Sequence, residues 1–308
     1  MKNLYNPCRL CPRSCGVDRT AGEAGFCKET AKLRAAAAVL HRGEEPPLVG
    51  KGGSGTIFVS GCNLGCVFCQ NHQISQGEPG SSPLGKEVSI ETFTGICLAL
   101  QNSGAENINI VTGSHAVPVI VDGLIAAKKA GLQIPVLWNS SAYENTETLE
   151  LLRDCVDIYL PDLKTMDGEI AADFFNAPDY PAAASAAILK MIDTGRGVII
   201  RHLILPGYLD STHSVLRWFA DNASDSAQLS LMTQYTPIPN RGGTAPKRFI
   251  TKEEYETVIG WLTEFGIEDG FCQEPVTGSE WLPDFRRTNP FPSELSVPVW
   301  HWASTSQI

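Results

Sequence analysis

Three cysteines lie close together in one short stretch of the chain. Cys62, Cys66 and Cys69 form a C-x3-C-x2-C pattern directly after the apolar run 56–59. Thiolates are the ligands that iron–sulfur clusters require, and three of them on a four-iron cluster leave one iron open to another molecule. A structural zinc site is the alternative, and it needs a fourth ligand, for which His72 is the local candidate. The absence of a nearby fourth cysteine favours the cluster.

A second group of cysteines precedes this stretch. Cys8, Cys11, Cys15 and Cys27 lie in a segment that is too short to build a stable core by itself. A metal bound by these four thiolates would supply the missing folding free energy. Tetrahedral zinc and a second four-iron cluster both accept four thiolates, and the spacing does not distinguish between them.

The overall composition indicates a globular chain. Its 308 residues are 43% hydrophobic and 19% charged, which is enough for one barrel-sized domain and an appendage. A formal net charge of −10 argues against a general nucleic-acid surface, because phosphate binding depends mainly on Lys and Arg. No apolar run has the length of a membrane span, and the first residues lack the apolar core of a signal peptide. We therefore expect a cytoplasmic protein with reduced thiols, in which Cys97 and Cys155 are packed core residues.

Short apolar runs alternate with helix-like segments from about residue 52 onward. This alternation predicts βα units and a parallel sheet, in the form of a partial (β/α)6 barrel of the TIM type. The predicted strands are Thr56–Val59, Asn109–Thr112, Val136–Trp138, Ile158–Leu160, Val198–Leu205 and Leu229–Tyr235. The predicted domain organisation is a Cys-rich N-terminal segment with its connector (1–50), the barrel (51–268) and an irregular C-terminal strap rich in Trp, Pro and Phe (269–308).

Polar residues recur where the predicted strands end. In barrels of this kind the active site lies at the carboxyl ends of the strands. The three cysteines follow the first strand, and the later strands end near the residues Thr112, Asn139, Asp162, Arg201 and Gln234. The pattern therefore predicts one shared site. Arg201 lies in an apolar run, so it requires an anionic partner, either a bound carboxylate or a structural Asp of the protein.

The cysteine spacing, with Phe68 just before the third cysteine, resembles the signature of the radical S-adenosylmethionine (SAM) superfamily. The motifs C-R-L-C-P-R-x-C-G-V-D, C-V-F-C-Q-N and L-P-D-L-K resemble its PflX-like branch, which is related to the activating enzymes of pyruvate formate-lyase. The resemblance implies the radical SAM type of partial barrel and a [4Fe-4S] cluster on Cys62, Cys66 and Cys69. In this family the open iron binds SAM, and reductive cleavage gives methionine and a 5′-deoxyadenosyl radical.

The resemblance also implies roles for residues at the other strand ends. Thr112, Gly113 and Ser114 occupy the place of a segment that binds the SAM amino group. Asp162 and Lys164 match an Asp-x-Lys pattern, in which Lys164 would pair with the SAM carboxylate. The related enzymes hold an alkali cation near this carboxylate, and the corresponding ligands here are Asn139 and Ser140. Arg201 is a further candidate for a carboxylate, and the alternatives are ordinary buried ion pairs. His115 is either a site residue or a structural hydrogen-bond donor.

We expect an oxidoreductase of the activating-enzyme type, which abstracts hydrogen from a backbone glycine of a partner protein. Its electron would come from a donor such as flavodoxin or ferredoxin. One alternative is the radical modification of a small metabolite or peptide. The other is an iron–sulfur electron carrier without catalysis, which predicts fully coordinated metal sites and no SAM binding.

Overall fold

The computed structural model describes residues 4–238, 244–275, 277–279 and 281–304. Strands and helices alternate along most of this part of the chain. Its strands are β1 (Arg34–His41), β2 (Ser54–Val59), β3 (Lys86–Glu87), β4 (Ile108–Val111), β5 (Val136–Ser140), β6 (Ile158–Pro161), β7 (Gly197–Leu203), β8 (Gln228–Met232), β9 (Gly270–Cys272) and β10 (Ser296–His301).

The strands form one sheet in the order β10-β1-β2-β4-β5-β6-β7-β8-β9, with β3 paired to β1. Strands β2 and β4 to β9 run parallel to one another, whereas β1 is antiparallel to both β2 and β10. Because β9 and β10 occupy opposite edges of the sheet, the sheet forms an unclosed, barrel-like wall. The predicted α/β class with a partial barrel is confirmed.

All six predicted strands are present, but the sheet has further strands that the sequence pattern did not indicate. Strand β1 comes from the expected N-terminal segment, and β9 and β10 come from the expected strap. The central residues of β1, 35–39, are fully buried between β2 and β10. A run of alanines carries no period that distinguishes a strand from a helix, so only the neighbouring strands decide its conformation.

The helices of the described residues lie in the connections between the strands. They are α1 (Pro46–Val49), α2 (His72–Ser75), α3 (Ile90–Asn102), α4 (Val117–Lys129), α5 (Thr146–Leu149), α6 (Gly168–Phe175), α7 (Tyr180–Asp193), α8 (Leu209–Asn222) and α9 (Lys252–Glu264), with 3-10 turns at Arg19–Ala21 and Glu150–Leu152. Ser89 caps α3, and Thr251 with Glu254 forms a capping box at the start of α9. Within the described residues, no helix combines the length and apolar character needed to cross a membrane.

The connector between β1 and β2 fills the lower part of the barrel. Its α1 places Leu48 in a small apolar cluster with Leu137, Leu160 and Ile199 from three neighbouring strands. Strand residues two apart share a face, so Ile199 points to the same side of the sheet as Arg201. The connector therefore closes the space beneath the polar residues of the strand ends.

Candidate functional site

One cavity of about 240 Å³ lies at the carboxyl ends of the parallel strands. The three cysteines of the loop after β2 line it together with residues from the ends of the other strands. The predicted residues among these are Phe68, Thr112, Asn139, Ser140, Asp162, Lys164 and Arg201. The fold thus brings distant parts of the sequence to one place, since Cys62 and Arg201 are 139 positions apart.

The backbone before Cys62 is held in a tight turn. Gly61 has a φ of +83°, and a Cβ at this position would lie 2.3 Å from the Cγ of Glu29. Its N–H donates to the carbonyl of Ile74 at 2.7 Å, and the N–H of Leu64 donates to the Sγ of Cys62 at 3.3 Å. Only glycine fits this turn, which aims the first cysteine into the cavity.

The three cysteines have the donor chemistry that an iron–sulfur cluster requires. All three are free thiols, and burial together with the neighbouring Cys66 and Cys69 raises the pKa of Cys62. Within the described residues, no three His, Cys, Asp or Glu side chains converge closely enough to hold a single metal ion. A cluster binds each thiolate at a different iron, so its ligands are more widely spaced than those of one ion. The three thiols of the loop match the three ligands of a four-iron cluster with one open iron.

His72 does not complete a zinc site with these cysteines. Its Nε2 lies 3.2 Å from the carboxylate of Glu78, and its Nδ1 lies 3.2 Å from the carbonyl oxygen of Cys69. It is not among the residues that line the cavity. The zinc alternative for this loop consequently lacks its fourth ligand.

Phe68 anchors the cysteine loop to the barrel. Its ring makes edge contacts with Phe174, Phe175 and Tyr235, with ring centroids 5.9, 5.9 and 5.6 Å away. Such aromatic contacts bury a large area and restrict the rotation of the ring. The aromatic residue of the motif thus fixes the position of Cys69, its neighbour in the sequence.

Asp162 and Lys164 form a close ion pair at the end of β6. The Nζ of Lys164 lies 2.6 Å from the Oδ2 of Asp162. Burial alone would lower the pKa of Lys164, but the Asp162 carboxylate outweighs it, and the pKa lies above its ordinary value. The hydroxyl of Tyr180 donates to the Asp162 carbonyl at 2.7 Å and accepts from the Lys164 N–H at 3.0 Å. Lys164 is therefore a fixed cation beside the cysteines.

Arg201 has two acidic partners within the protein. Its guanidinium donates to Glu44 at 2.8 Å and to Glu45 at 3.0 Å, and all three side chains are at least 89% buried. Both glutamates belong to the connector between β1 and β2. The sequence indicated that Arg201 needs an anion, but only the fold shows that the connector supplies it.

Only one residue of the segment that was predicted to bind the SAM amino group lines the cavity. Thr112 lines the cavity, whereas Gly113 and Ser114 are not among its lining residues. A Cβ on Gly113 would lie 2.6 Å from the ring of Trp138, so this glycine allows close packing behind the cavity wall. The Ser140 hydroxyl donates to the carboxylate of Glu144 at 2.6 Å. Asn139, the preceding residue, also lines the cavity and does not share this hydrogen bond.

His115 connects two parts of the chain rather than lining the main cavity. Its Nε2 lies 2.8 Å from the carbonyl oxygen of Ser60, directly before the cysteine loop. This contact is the structural hydrogen bond that was one of the two interpretations of this residue. Cys97 and Cys155 are buried in the core as predicted, whereas Cys272 is exposed.

The C-terminal residues form part of the cavity wall. Trp281 and Phe291 line the cavity, and Phe285 and Phe291 pack against Phe58 of β2 at 5.2 and 5.6 Å. Gln73, which follows the cysteine loop, donates to the carboxylate of Asp284 at 3.1 Å. Apart from the aromatic composition of the segment, no sequence pattern indicated these contacts.

Fold and site together define a class of protein: an unclosed α/β barrel with a three-cysteine loop at the carboxyl end of its first parallel strand. Residues 56–219 match the Radical SAM superfamily. The chain is also 32% identical over 280 residues to the uncharacterized protein MJ0674 of Methanocaldococcus jannaschii, with 87% of this chain and 77% of that protein covered. The chain belongs to the radical SAM superfamily.

Solved structures share the fold at low sequence identity. Streptococcus suis SuiB bound to S-adenosylmethionine superimposes with a TM-score of 0.53 and 13% identity, over 69% of this chain and 48% of SuiB. The FeFe-hydrogenase maturase HydG of Carboxydothermus hydrogenoformans gives a TM-score of 0.52 and 12% identity, over 76% of this chain and 60% of HydG. The chain thus spans about half the length of SuiB.

Proposed function

We propose that this protein cleaves SAM reductively at a [4Fe-4S] cluster held by Cys62, Cys66 and Cys69 and uses the resulting 5′-deoxyadenosyl radical to abstract hydrogen. The observation that supports this most strongly is the convergence of these cysteines with Lys164 and the other strand-end residues on one cavity. When bound, the cluster supplies the electron and an open iron for SAM. The protein's own residues bind and orient SAM and exclude water.

Lys164 has the central role in binding SAM in this proposal. Its permanent positive charge, held in place by Asp162, suits the carboxylate of the amino acid part of SAM. Asn139 and Thr112 provide polar groups on the neighbouring strand ends. We also propose that Asn139 helps to hold an alkali cation, which would reduce the repulsion between Asp162 and the SAM carboxylate.

The proposal is tested by anaerobic reconstitution with iron and sulfide, reduction, and addition of SAM. The expected result is 5′-deoxyadenosine, detected by chromatography, and a change in the electron paramagnetic resonance spectrum of the reduced cluster. Both should be lost in the Cys62, Cys66, Cys69→Ala triple variant. The Cys272→Ala variant is the matched control, because Cys272 is exposed and lies outside the cavity. A cluster that neither responds to SAM nor cleaves it would favour the electron-carrier alternative.

For the hydrogen donor we propose a backbone glycine of a partner protein, as in the activating enzymes of the pyruvate formate-lyase type. Support comes from the resemblance of the motifs to the PflX-like branch and from the unclosed edge of the sheet. The electron would come from flavodoxin or ferredoxin, and the unpaired thiols suit the reducing cytoplasm.

A small metabolite or peptide is the second candidate substrate, and one observation favours it. Trp281 and Phe291 of the C-terminal segment form part of the cavity wall, so the protein itself occupies space beside the site. The stoichiometry separates the two candidates. Activation of a partner leaves a stable radical signal on a second chain at the cost of about one SAM per radical, whereas a small substrate gives a modified product in solution and no such signal.

A further inference from the structure

The four N-terminal cysteines meet at a second, small cavity behind the cysteine loop. Cys8, Cys11, Cys15 and Cys27 all line it, and three of them are at most 7% exposed. The N–H of Phe26 donates to the Sγ of Cys15 at 3.4 Å. Four free thiols around one space, three of them buried, with a backbone donor directed at sulfur, are typical of a thiolate-bound metal centre.

A buried arginine at this cavity lacks a carboxylate partner. Arg19 is only 2% exposed and lines the cavity. It donates to the backbone carbonyls of Glu29, Thr30 and His115 and lies 3.8 Å from the Sγ of Cys8. Among the described residues no carboxylate forms an ion pair with Arg19, since that of Glu29 pairs with Arg34 at 2.9 Å.

Carbonyl groups satisfy the donors of a guanidinium but do not neutralise its charge. A buried cation without an ion-pair partner is costly, so an anion at the cavity would stabilise Arg19. Four neutral thiols do not provide one. A metal centre with four thiolates does, because its net charge is negative with either a zinc ion or a [4Fe-4S] core.

Two further buried polar atoms at the same cavity have no hydrogen-bond partner in the described part of the chain. They are the Nδ1 of His115 and the Oδ1 of Asn63, and both residues line the cavity. Buried polar atoms are nearly always satisfied, so unpaired ones indicate a missing partner. Both atoms are acceptors, since the Nε2 of His115 donates to the Ser60 carbonyl, so the partner that each lacks is a hydrogen-bond donor such as a water molecule.

Zinc and a cluster differ in how closely the four sulfurs must approach one another. Zinc needs four sulfurs at about 2.3 Å from one point. Across residues 4–238, which include all four cysteines, no three potential ligands converge in this way.

The two sites share a thin wall. Cys62 and Leu64 line the main cavity, whereas Asn63 between them lines the second one. Arg13, from the same segment as the N-terminal cysteines, donates to the carbonyl of Asn63 at 2.9 Å and to that of Phe175 at 3.1 Å. The N-terminal segment is therefore attached directly to the cysteine loop.

We propose that Cys8, Cys11, Cys15 and Cys27 bind a second [4Fe-4S] cluster, that Arg19 is its counter-charge, and that it lies next to the radical SAM cluster across the wall formed by residues 62–64. The site itself is independent of SAM cleavage. Only its position beside a first cluster rests on the proposed function.

The test uses the full chain with Cys62, Cys66 and Cys69 changed to alanine, reconstituted anaerobically with iron and sulfide in the presence of equimolar zinc. We expect about four irons and four sulfides per chain and a paramagnetic signal after reduction. Adding Cys8→Ala and Cys11→Ala should abolish both. One zinc per chain with no iron would overturn the cluster assignment, and so would the absence of any metal in a variant that circular dichroism shows to be folded.

The counter-charge is tested with Arg19→Gln in the same background. Removing the positive charge should shift the midpoint potential to more negative values, or release the cluster. Arg9→Gln is the matched control, because Arg9 belongs to the same segment but is exposed and does not line the cavity. Equal potentials in both variants would contradict the role of Arg19.

The proximity of the two clusters is tested by a separate measurement, the electron paramagnetic resonance spectrum. With both clusters reduced, the spectrum of the unmodified protein should be broader than the sum of the spectra of the two variants that each keep one cluster. A simple sum would refute the shared wall. Neither this result nor the iron content depends on whether SAM is cleaved, so failure of the proposed function remains distinguishable.

Discussion

Replacing Arg201 with methionine should destabilise the folded protein strongly. The substitution preserves much of the length of the side chain but leaves the carboxylates of Glu44 and Glu45 buried without their cation. Removing one partner of a buried ion pair costs about 3–5 kcal/mol. The side chain of Asn109, which donates to Glu44 at 3.1 Å, compensates only part of this loss because it carries no charge.

The expected change in melting temperature follows from the size of the chain. At about 2.1 cal/mol/K per residue, 308 residues give an unfolding entropy of about 0.65 kcal/mol/K. A loss of about 3–5 kcal/mol therefore lowers the melting temperature by about 5–8 °C. The assay is thermal unfolding followed by circular dichroism under anaerobic conditions, with both proteins reconstituted in the same way.

Two further variants make this prediction specific. Arg153→Met removes an exposed pair with Glu150 and should change the stability by less than about 0.5 kcal/mol. Adding Glu44→Gln and Glu45→Gln to Arg201→Met should restore part of the loss, because these changes remove the buried negative charges. The reasoning is refuted if Arg201→Met behaves like Arg153→Met, or if the added glutamines lower the stability further.

Three other outcomes follow from the structure. Lys164→Met should raise the Kd for SAM by about 10- to 150-fold in equilibrium dialysis, the equivalent of one charge-assisted hydrogen bond, whereas Lys190→Met should not. Burial lowers the pKa of His202 to about 4, helped by Lys164 and opposed by the Leu163 carbonyl and Asp162. As the pH drops from about 6.5 to about 4, the unfolded chain therefore binds a proton at His202 before the folded chain does, and the stability should fall. Unfolding titrations of His202→Asn should show a smaller fall in stability over the same pH range. Iodoacetamide should label Cys272 of the native holoprotein faster than the buried cysteines, and mass spectrometry of tryptic peptides would expose any other order.

Local patterns in the sequence predicted most of the parallel sheet. Each of the six predicted strands is a short run of β-branched or apolar residues followed by polar ones, and this pattern depends only on neighbours in the chain. The helix starts at Ser89 and Thr251 were predictable for the same reason, since a cap involves residues only three positions apart. Strand β1 was not predictable, because its alanines take their conformation from the strands on both sides.

The candidate site was also predictable only in part. The spacing of Cys62, Cys66 and Cys69 indicates the kind of chemistry, because three thiolates on one short loop already restrict what they can bind. The spacing of residues does not predict which distant charged side chains will pair. Glu44 and Arg201 are 157 positions apart, and the polarity of a connector says nothing about which side chain it will meet.

By itself, the sequence determined the class of fold, the cysteine loop and the requirement of Arg201 for an anion. Only the tertiary structure decided which anion that is, that Gly113 and Ser114 lie outside the cavity lining, and that Arg19 lies among the four N-terminal cysteines. The physical reason is that spacing and periodicity act through the local backbone. The burial and pairing of charges, in contrast, depend on which segments the folded chain places side by side.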